Sequence, residues 1–374
     1  MSSAANVANE QSVIQMAAKK ILADFGLPRI IILSTFILLF ALAGIYGMNL
    51  PSFFGDVLRR WGMFGILVLA MVPGIQSGIG PNFGVTVGIT GGLVGAVLSI
   101  EMNHLGMFSF IENPVLLPVA LALTAIVIGG TLAIGMGILY GMLLNRVKGS
   151  EMAVSVYVGF SAVAVFNILW ARIPVTASIM ILPATGQGLR QMINLQDDFG
   201  GAFNNLLMFS INAFTMHTGL LLVFFLCCLF MWLFTKSRLG MMMSAAGSNP
   251  NYARASGINV EKMRIIGTTI STVLGAIGII VYAQSFGFLQ MYNAPLMMGF
   301  TAVASVLIGG ATVRRARVFD VLLGAFLFNG ILTIALPLAN EIIPDVPGVP
   351  EMLRLIITNG IILYALTKVR MGGR

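Results

Sequence analysis

Long apolar stretches recur along the whole chain, and none carries Asp, Glu, Lys or Arg at its centre. About 20 apolar residues are enough for a helix to cross ~30 Å of hydrocarbon. By that length we predict spans at about 30–47, 61–76, 84–100, 115–144, 151–170, 214–235, 265–286, 294–312, 318–339 and 352–368. Only 9% of the 374 residues are charged, against roughly a quarter in a soluble domain. We therefore predict an all-α polytopic membrane protein with about ten transmembrane helices.

The charged residues divide unequally between the two sides of such a protein. If both ends lie on one side, the connections there hold most of the 21 Lys and Arg residues, while the opposite side takes most of the 13 acids. Cytoplasmic loops of membrane proteins carry an excess of Lys and Arg. We therefore expect cytoplasmic N- and C-termini. The net charge of +8 follows from this topology and gives no reason to expect nucleic acid as a partner.

Residues 1–29 form a cytoplasmic amphipathic N-terminal arm in this interpretation. Apolar residues recur there at helical spacing: Val13, Ile14, Ala17, Ile21, Leu22 and Phe25. We expect a helix at about 11–26 on the inner membrane surface, with a flexible basic tail as the alternative. No cleavable signal is expected, because residues 1–18 are polar and small. Residues 30–374 then form the transmembrane domain.

The residue types within the spans count against several functions. Pumps, proton-coupled carriers and voltage sensors generally keep an ionisable residue at membrane depth, and none is expected here. The two histidines, His104 and His217, show no metal-ligand spacing, and the chain lacks the glycine-lysine loop that cradles nucleotide phosphates. We predict no catalytic residue, no metal, no cofactor and no ATPase site in this chain.

Neutral polar residues do occur at membrane depth, and they suit a path for a neutral, hydroxyl-rich solute. Five of them are the predicted lining of a translocation path: Gln76, Asn82, Thr86, Gln284 and Asn329. Amides and hydroxyls exchange hydrogen bonds with a solute without holding it as a fixed charge holds an ion. For any one of these residues, hydrogen bonding between helices is the alternative role.

Residues 73–84 contain two prolines and four glycines. Such a sequence predicts an interruption of helix. It forms either a re-entrant element, whose polar backbone must face protein or a watery cavity, or a tight cytoplasmic turn.

The largest predicted cytoplasmic loop covers about 236–264 and contains signals for a short helix. Asn249 is a preferred N-cap, Pro250 suits the first helical position, and Gly257 suits the left-handed residue after the end. These signals predict a helix at 250–256, with an ordinary connecting loop as the alternative. A helix of about seven residues is unstable alone in water, so neighbours or a partner must hold it.

Residues 246–260, AGSNPNYARASGINV, resemble the cytoplasmic coupling segment of ribose-type (simple sugar) permeases of bacterial ATP-binding-cassette importers. The segments VLIGGA at 306–311, RRARV at 314–318 and LLGA at 322–325 are similar to a later glycine-rich motif of that family. The resemblance covers roughly residues 60–340.

This resemblance implies a multi-pass permease subunit of the bacterial inner membrane, which translocates a neutral polar solute by alternating access while another subunit hydrolyses ATP. It implies three partners: an ATP-binding-cassette ATPase subunit, an extracytoplasmic solute-binding protein, and a second permease copy or a sister permease. Membrane lipid surrounds the 30–374 permease domain. The short helix would dock into the ATPase, which gives a coupling role to Asn249, Pro250, Tyr252, Arg254 and Gly257.

The chain departs from the sugar members at residues 77–84. Those members commonly carry an acidic motif after the second span, whereas SGIGPNFG contains no acid. A sugar is the first predicted solute, and nucleosides and other small polar solutes remain alternatives. A self-sufficient carrier or facilitator and a membrane scaffold are the other classes. The outer segment 171–212, with Arg190, Asp197 and Asp198, is expected to be partly helical and to face the binding protein.

Overall fold

The computed structural model describes residues 27–342 except 184, 185 and 293, and beyond 342 it describes 348, 351–353, 355, 356, 359, 360 and 363. The predicted amphipathic helix at 11–26 and most of the predicted span at 352–368 lie outside the described residues.

Twelve α-helices lie within residues 27–342. They are α1 Leu27–Ile45, α2 Leu50–Leu69, α3 Met71–Gln76, α4 Thr86–His104, α5 Leu116–Arg146, α6 Glu151–Trp170, α7 Thr218–Lys236, α8 Arg238–Ser248, α9 Pro250–Ala255, α10 Val260–Phe286, α11 Ala294–Ile308 and α12 Val318–Ile342. A 3₁₀ turn at Phe83–Val85 precedes α4.

Seven helical segments of the described residues are long and apolar enough to cross a membrane. They are Leu50–Gln76, Phe83–His104, Leu116–Arg146, Glu151–Trp170, Thr218–Lys236, Val260–Phe286 and Val318–Ile342. Two shorter apolar helices, Arg29–Ile45 and Pro295–Ile308, match the first and eighth predicted spans. At 1.5 Å per residue, the 15 residues of α11 extend about 22 Å, less than a hydrocarbon core. The multi-pass helical architecture is confirmed, and the count of ten remains a prediction.

The second span starts earlier than predicted and ends at the predicted residue, Gln76. It begins at Leu50 rather than near 61, because Asn49 accepts a hydrogen bond from the Ser52 amide (3.3 Å) and caps the helix. Helix also continues through Pro73 to Gln76. Pro73 is tolerated because α3 starts afresh at Met71, and an amide in a first turn has no intrahelical partner.

Helix α10 lies at the centre of the bundle and packs against α2, α4, α5 and α8. Its contact with α4 is backbone to backbone. A Cβ atom at Gly88 would lie 2.0 Å from the Thr272 carbonyl oxygen, and one at Gly92 would lie 2.6 Å from that of Ala276. Small residues let membrane helices approach this closely.

The connections between helices gather at two ends of the bundle. At the basic end, ion pairs join Lys148 to Glu261 and Arg29 to Asp320. At the opposite end, which we call the ribbon end, β1 (Met192–Asn194) pairs with β4 (Phe288–Gln290), and β2 (Met208–Ile211) pairs with β3 (Phe214–His217), both antiparallel. The all-α prediction is therefore correct for the bundle and incomplete at the ribbon end.

The segment 171–212 contains turns and short strands in its described residues, so the expectation of helix there is wrong. Strand β1 pairs with β4 nearly a hundred residues later in the chain, which local sequence does not reveal. Asp198 is buried and accepts a hydrogen bond from Asn103 Nδ2 (2.9 Å), while Asp197 is exposed. Burial raises the pKa of the Asp198 carboxyl above its ordinary value. Asp198 therefore anchors this segment to α4.

Candidate coupling and translocation site

The short helix predicted in the 236–264 loop is present as α9. Asn249 Oδ1 accepts a hydrogen bond from the Tyr252 amide (3.1 Å), and Pro250 occupies the first turn. Gly257 follows the helix with φ of 81°, and its amide donates to the Arg254 carbonyl (3.0 Å). Both ends thus form as the capping signals predict.

Helix α9 is held by a small apolar core at the basic end. Its buried residue Ala253 lies in a cluster contributed by α8, α9 and α10: Met243, Ala246, Ala253, Val260 and Met263. The neighbouring residue Tyr252 is 69% exposed. The chain therefore fixes α9 in place and presents Tyr252 outward.

Arg254, predicted to contact an ATPase, already has an ion-pair partner within the chain. Its Nη2 lies 3.0 Å from Glu261 Oε1, and Lys148 Nζ lies 2.7 Å from the same oxygen. About half of the Arg254 side chain remains exposed. The pairing ties α9 to the first turn of α10.

The predicted interruption at 73–84 is present in a shorter form, as residues 77–82 between α3 and the 3₁₀ turn, and we call these residues the broken element. Helix α8 was not predicted, and it connects α9 to the broken element. A Cβ atom at Gly247 would lie 2.2 Å from the Gln76 carbonyl oxygen and 2.7 Å from the Gly78 amide nitrogen. Gly78 itself has φ of 80°, and a Cβ atom there would lie 2.8 Å from the Gly247 Cα. The two backbones touch, with no side chain between them. Ser237, whose hydroxyl accepts from the Gly240 amide, is the sequence signal for the start of α8.

Apart from Gly78, the broken element is buried, and Asn82 organises its interior. Asn82 Nδ2 donates to Ser271 Oγ (2.8 Å) on α10, and the Tyr140 hydroxyl on α5 donates to Asn82 Oδ1 (2.9 Å). Ser271 in turn donates to the Ala70 carbonyl (2.6 Å) at the α2–α3 junction. One asparagine therefore links the break to three parts of the bundle.

The five residues predicted to line a path do not converge on one site. Gln76 Nε2 donates to the Ala316 carbonyl (2.9 Å), and Thr86 is buried in the first turn of α4, so these two lie near Asn82 at the break. Gln284 lies at the ribbon end, where its Oε1 accepts from the Phe203 amide (3.1 Å). Asn329 donates to the Ala325 carbonyl within α12 (2.9 Å). Their role as a path remains a prediction.

A cavity of about 490 Å³ opens beside the break at the basic end. Backbone of the break, the start of α6, the end of α8 and the α11–α12 connection line it, including Gly78, Gly80, Ser150, Glu151, Gly247 and Arg314. The sequence patterns pointed to Gly247, which lies in the coupling segment, and to the glycines of the break. They assigned none of the other lining residues to a site. Glu151, at the start of α6, and Arg314, in the α11–α12 connection, lie far apart in the chain.

We expect Asn82→Leu to lower the stability of the folded chain by about 1–3 kcal/mol, because the buried Tyr140 hydroxyl loses its acceptor. The double variant Asn82→Leu/Tyr140→Phe should cost less than the sum of the two single changes, since no orphaned hydroxyl remains. Denaturant unfolding in detergent measures both. An Asn82→Leu protein with wild-type stability and impaired transport would instead make Asn82 a path residue.

These features define a class: a multi-pass transport permease, with a bundle of apolar helices, a break in one of them, and a capped helix seated beside the break. The chain belongs to the family described as the branched-chain amino acid transport system permease component, whose model matches residues 53–366. No solved structure matches the chain.

The curated proteins that the chain resembles include permeases of ATP-binding-cassette transporters. The chain is 29% identical over 157 residues to the nucleoside ABC transporter permease protein NupB of Lactococcus lactis, covering 41% of this chain and 40% of that protein. It is 30% identical over 132 residues to the guanosine permease NupQ of Bacillus subtilis, covering 35% and 39%. It is 27% identical over 158 residues to the galactofuranose permease YtfT of Escherichia coli, covering 41% and 46%.

The chain thus matches less than half the length of these three relatives. The resemblance to sugar-type permeases of ATP-binding-cassette systems is confirmed by the family and by these proteins. The chain is a multi-pass protein of the bacterial inner membrane.

Proposed function

We propose that the chain is the membrane-spanning permease subunit of an ATP-driven importer, which moves a neutral polar solute by alternating access. The observation that carries this proposal is the seating of the α8–α9 segment on the broken element, backbone against backbone, in a chain of the permease family. ATP would be hydrolysed by a separate ATP-binding-cassette subunit.

The contacts provide a route for motion from that subunit into the bundle. A displacement of α9 is transmitted to α8 through their shared apolar core. From α8 it reaches the break at Gly78, and from the break it passes through Asn82 to α5 and α10. No flexible side chain separates α8 from the break, so the link is stiff.

The orientation follows from charge. We place the basic end in the cytoplasm, with ten spans and both termini on that side, because Lys and Arg collect in cytoplasmic loops. The ATPase then meets α9, through Tyr252 and the exposed part of Arg254, and the solute-binding protein meets the ribbon end. A second permease copy or a sister permease completes the transporter.

The solute is a sugar in our first proposal and a nucleoside in our second. Both classes are neutral and hydroxyl-rich, in keeping with the neutral polar residues of the spans. The second proposal is favoured by the relatives named for nucleosides and guanosine, and the first by the relative named for galactofuranose.

The test is reconstitution into proteoliposomes together with an ATP-binding-cassette ATPase and a solute-binding protein. Uptake of labelled ribose or guanosine should require ATP and both partners. Uptake by the chain alone, without ATP, would assign it to the carriers or facilitators. Comparing the two solutes chooses between sugar and nucleoside.

We expect Gly257→Val to weaken ATPase binding by about tenfold, because a β-branched residue is strained at φ of 81° and the end of α9 must rearrange. Gly257→Asn is the matched control, since asparagine tolerates the left-handed conformation. A Cβ atom at 257 meets no atom within 4 Å, so a steric clash does not contribute to the difference between the valine and asparagine variants. Co-purification of the ATPase measures the effect; equal recovery with valine and asparagine would contradict the coupling role.

A further inference from the structure

An apolar groove runs along α10 on the surface of the bundle. Two cavities, of about 510 and 580 Å³, share Thr269 and Ile270 as lining residues and therefore follow one another along the helix. Helix α10 forms the floor, α5 forms one wall through Ile134 and Ile138, and α7 forms the other wall in the second cavity. The groove passes from Glu261 at the basic end to Ile277 within the bilayer.

The interior of the groove offers hydrocarbon contacts. Residues from all three helices line it: Ile134, Leu226, Phe230, Val273, Leu274 and Ile277. The Thr269 hydroxyl is occupied by its bond to the Ile265 carbonyl (2.8 Å), so it adds no free polar group. From Glu261 to Ile277 the helix rises about 24 Å, longer than the roughly 15 Å of one leaflet.

The end of the groove at residues 259–262, which we call its mouth, is positively charged. Lys262 is exposed there, and Glu261 is shared by two cations, Lys148 and Arg254. Three basic side chains thus accompany one carboxylate. The mouth also lies at the N-terminus of the 27-residue α10, whose dipole favours an anion.

We propose that this groove binds a phospholipid with an anionic headgroup, its acyl chain along α10 and its phosphate beside Lys262. An apolar trough of more than one leaflet's length with a basic mouth at one end matches such a lipid in both shape and charge. A second copy of the chain is a poorer occupant. Two grooves placed face to face by a twofold axis would bring their basic mouths together.

Native mass spectrometry of the chain, after incorporation into vesicles of equal parts phosphatidylglycerol and phosphatidylcholine and extraction into detergent, tests this proposal without ATPase or solute. We expect one phosphatidylglycerol retained per chain, in clear preference to phosphatidylcholine. Each basic residue near an anionic lipid changes affinity about fivefold, so Lys262→Glu should lower retention roughly 25-fold. Arg238→Glu, an exposed charge reversal at the same end that does not line the groove, should leave it unchanged.

A second pair of variants tests the groove itself. Leu226→Trp narrows the groove and should reduce retention, whereas Leu229→Trp, at a similarly exposed position that does not line it, should not. Equal retention of the two lipids by the wild type, or equal retention by Lys262→Glu and Arg238→Glu, would overturn the proposal. So would loss of a permease dimer in Leu226→Trp with phosphatidylglycerol retention intact, since the groove would then hold a second copy.

Discussion

On the proposed function, replacing Gly247 by valine is expected to abolish ATP-driven uptake, while the chain still inserts and still binds the partner ATPase. The new Cβ atom would meet the Gln76 carbonyl oxygen at 2.2 Å and the Gly78 amide nitrogen at 2.7 Å. Both are backbone atoms and cannot rotate away, so α8 must separate from the break. Helix α9, with its exposed Tyr252, keeps its own caps and its docking surface. Uptake should fall to background, with hydrolysis no longer linked to transport.

Ser244→Val is the matched control, because it adds the same β-branched side chain to the exposed face of the same helix. Uptake by proteoliposomes and co-purification of the ATPase should be close to wild type in this control. If Gly247→Val transported as well as Ser244→Val, the contact between α8 and the break would have no role in coupling.

Local sequence signals predict much of this fold. The apolar stretches identify nine helices of the described bundle because the bilayer fixes the length of a spanning segment. The caps of α9 were predictable for a different reason. Asn249, Pro250 and Gly257 each act through their own backbone geometry, with no need of distant residues.

Features that depend on distant residues were not predictable in the same way. The contact of Gly247 with Gly78 joins segments about 170 residues apart, and glycine in each segment has an adequate local explanation as a turn or a helix end. The pairing of β1 with β4 is another such contact. The start of α2 at Leu50 was missed because Asp56 and Arg59 break the apolar run, although they form an ion pair (3.3 Å) one turn apart on the helix.

The neutral polar residues illustrate a further limit of sequence. An Asn or Gln side chain that joins helices and one that lines a path are the same residue type at the same depth in the membrane. Asn82 has partners on two sides, whereas Gln284 bonds to the segment around 203 at the ribbon end. Only the three-dimensional structure distinguishes these two hydrogen-bonding environments.

Glu151 and Arg264 form the most buried ion pair of the described residues, with side chains 15% and 9% exposed. It joins the first turn of α6 to the first turns of α10 and borders the cavity beside the break. Within the described residues, Arg264 Nε has no hydrogen-bond partner, so the guanidinium depends on the Glu151 carboxylate for compensation. A buried cation without its partner is costly because it has lost its hydration.

We expect Glu151→Ala to lower the free energy of unfolding by about 3–5 kcal/mol, the largest loss of stability among these predictions. Replacing both partners, as Glu151→Leu with Arg264→Met, should recover most of that loss, because no charge is left buried. The exposed pair Lys148–Glu261 at the same end is the control, and Lys148→Ala should cost less than about 1 kcal/mol. Denaturant unfolding in detergent compares the three variants. Equal losses for Glu151→Ala and Lys148→Ala would mean that water reaches Arg264 through the cavity, and that the α6–α10 junction is held by its apolar contacts instead.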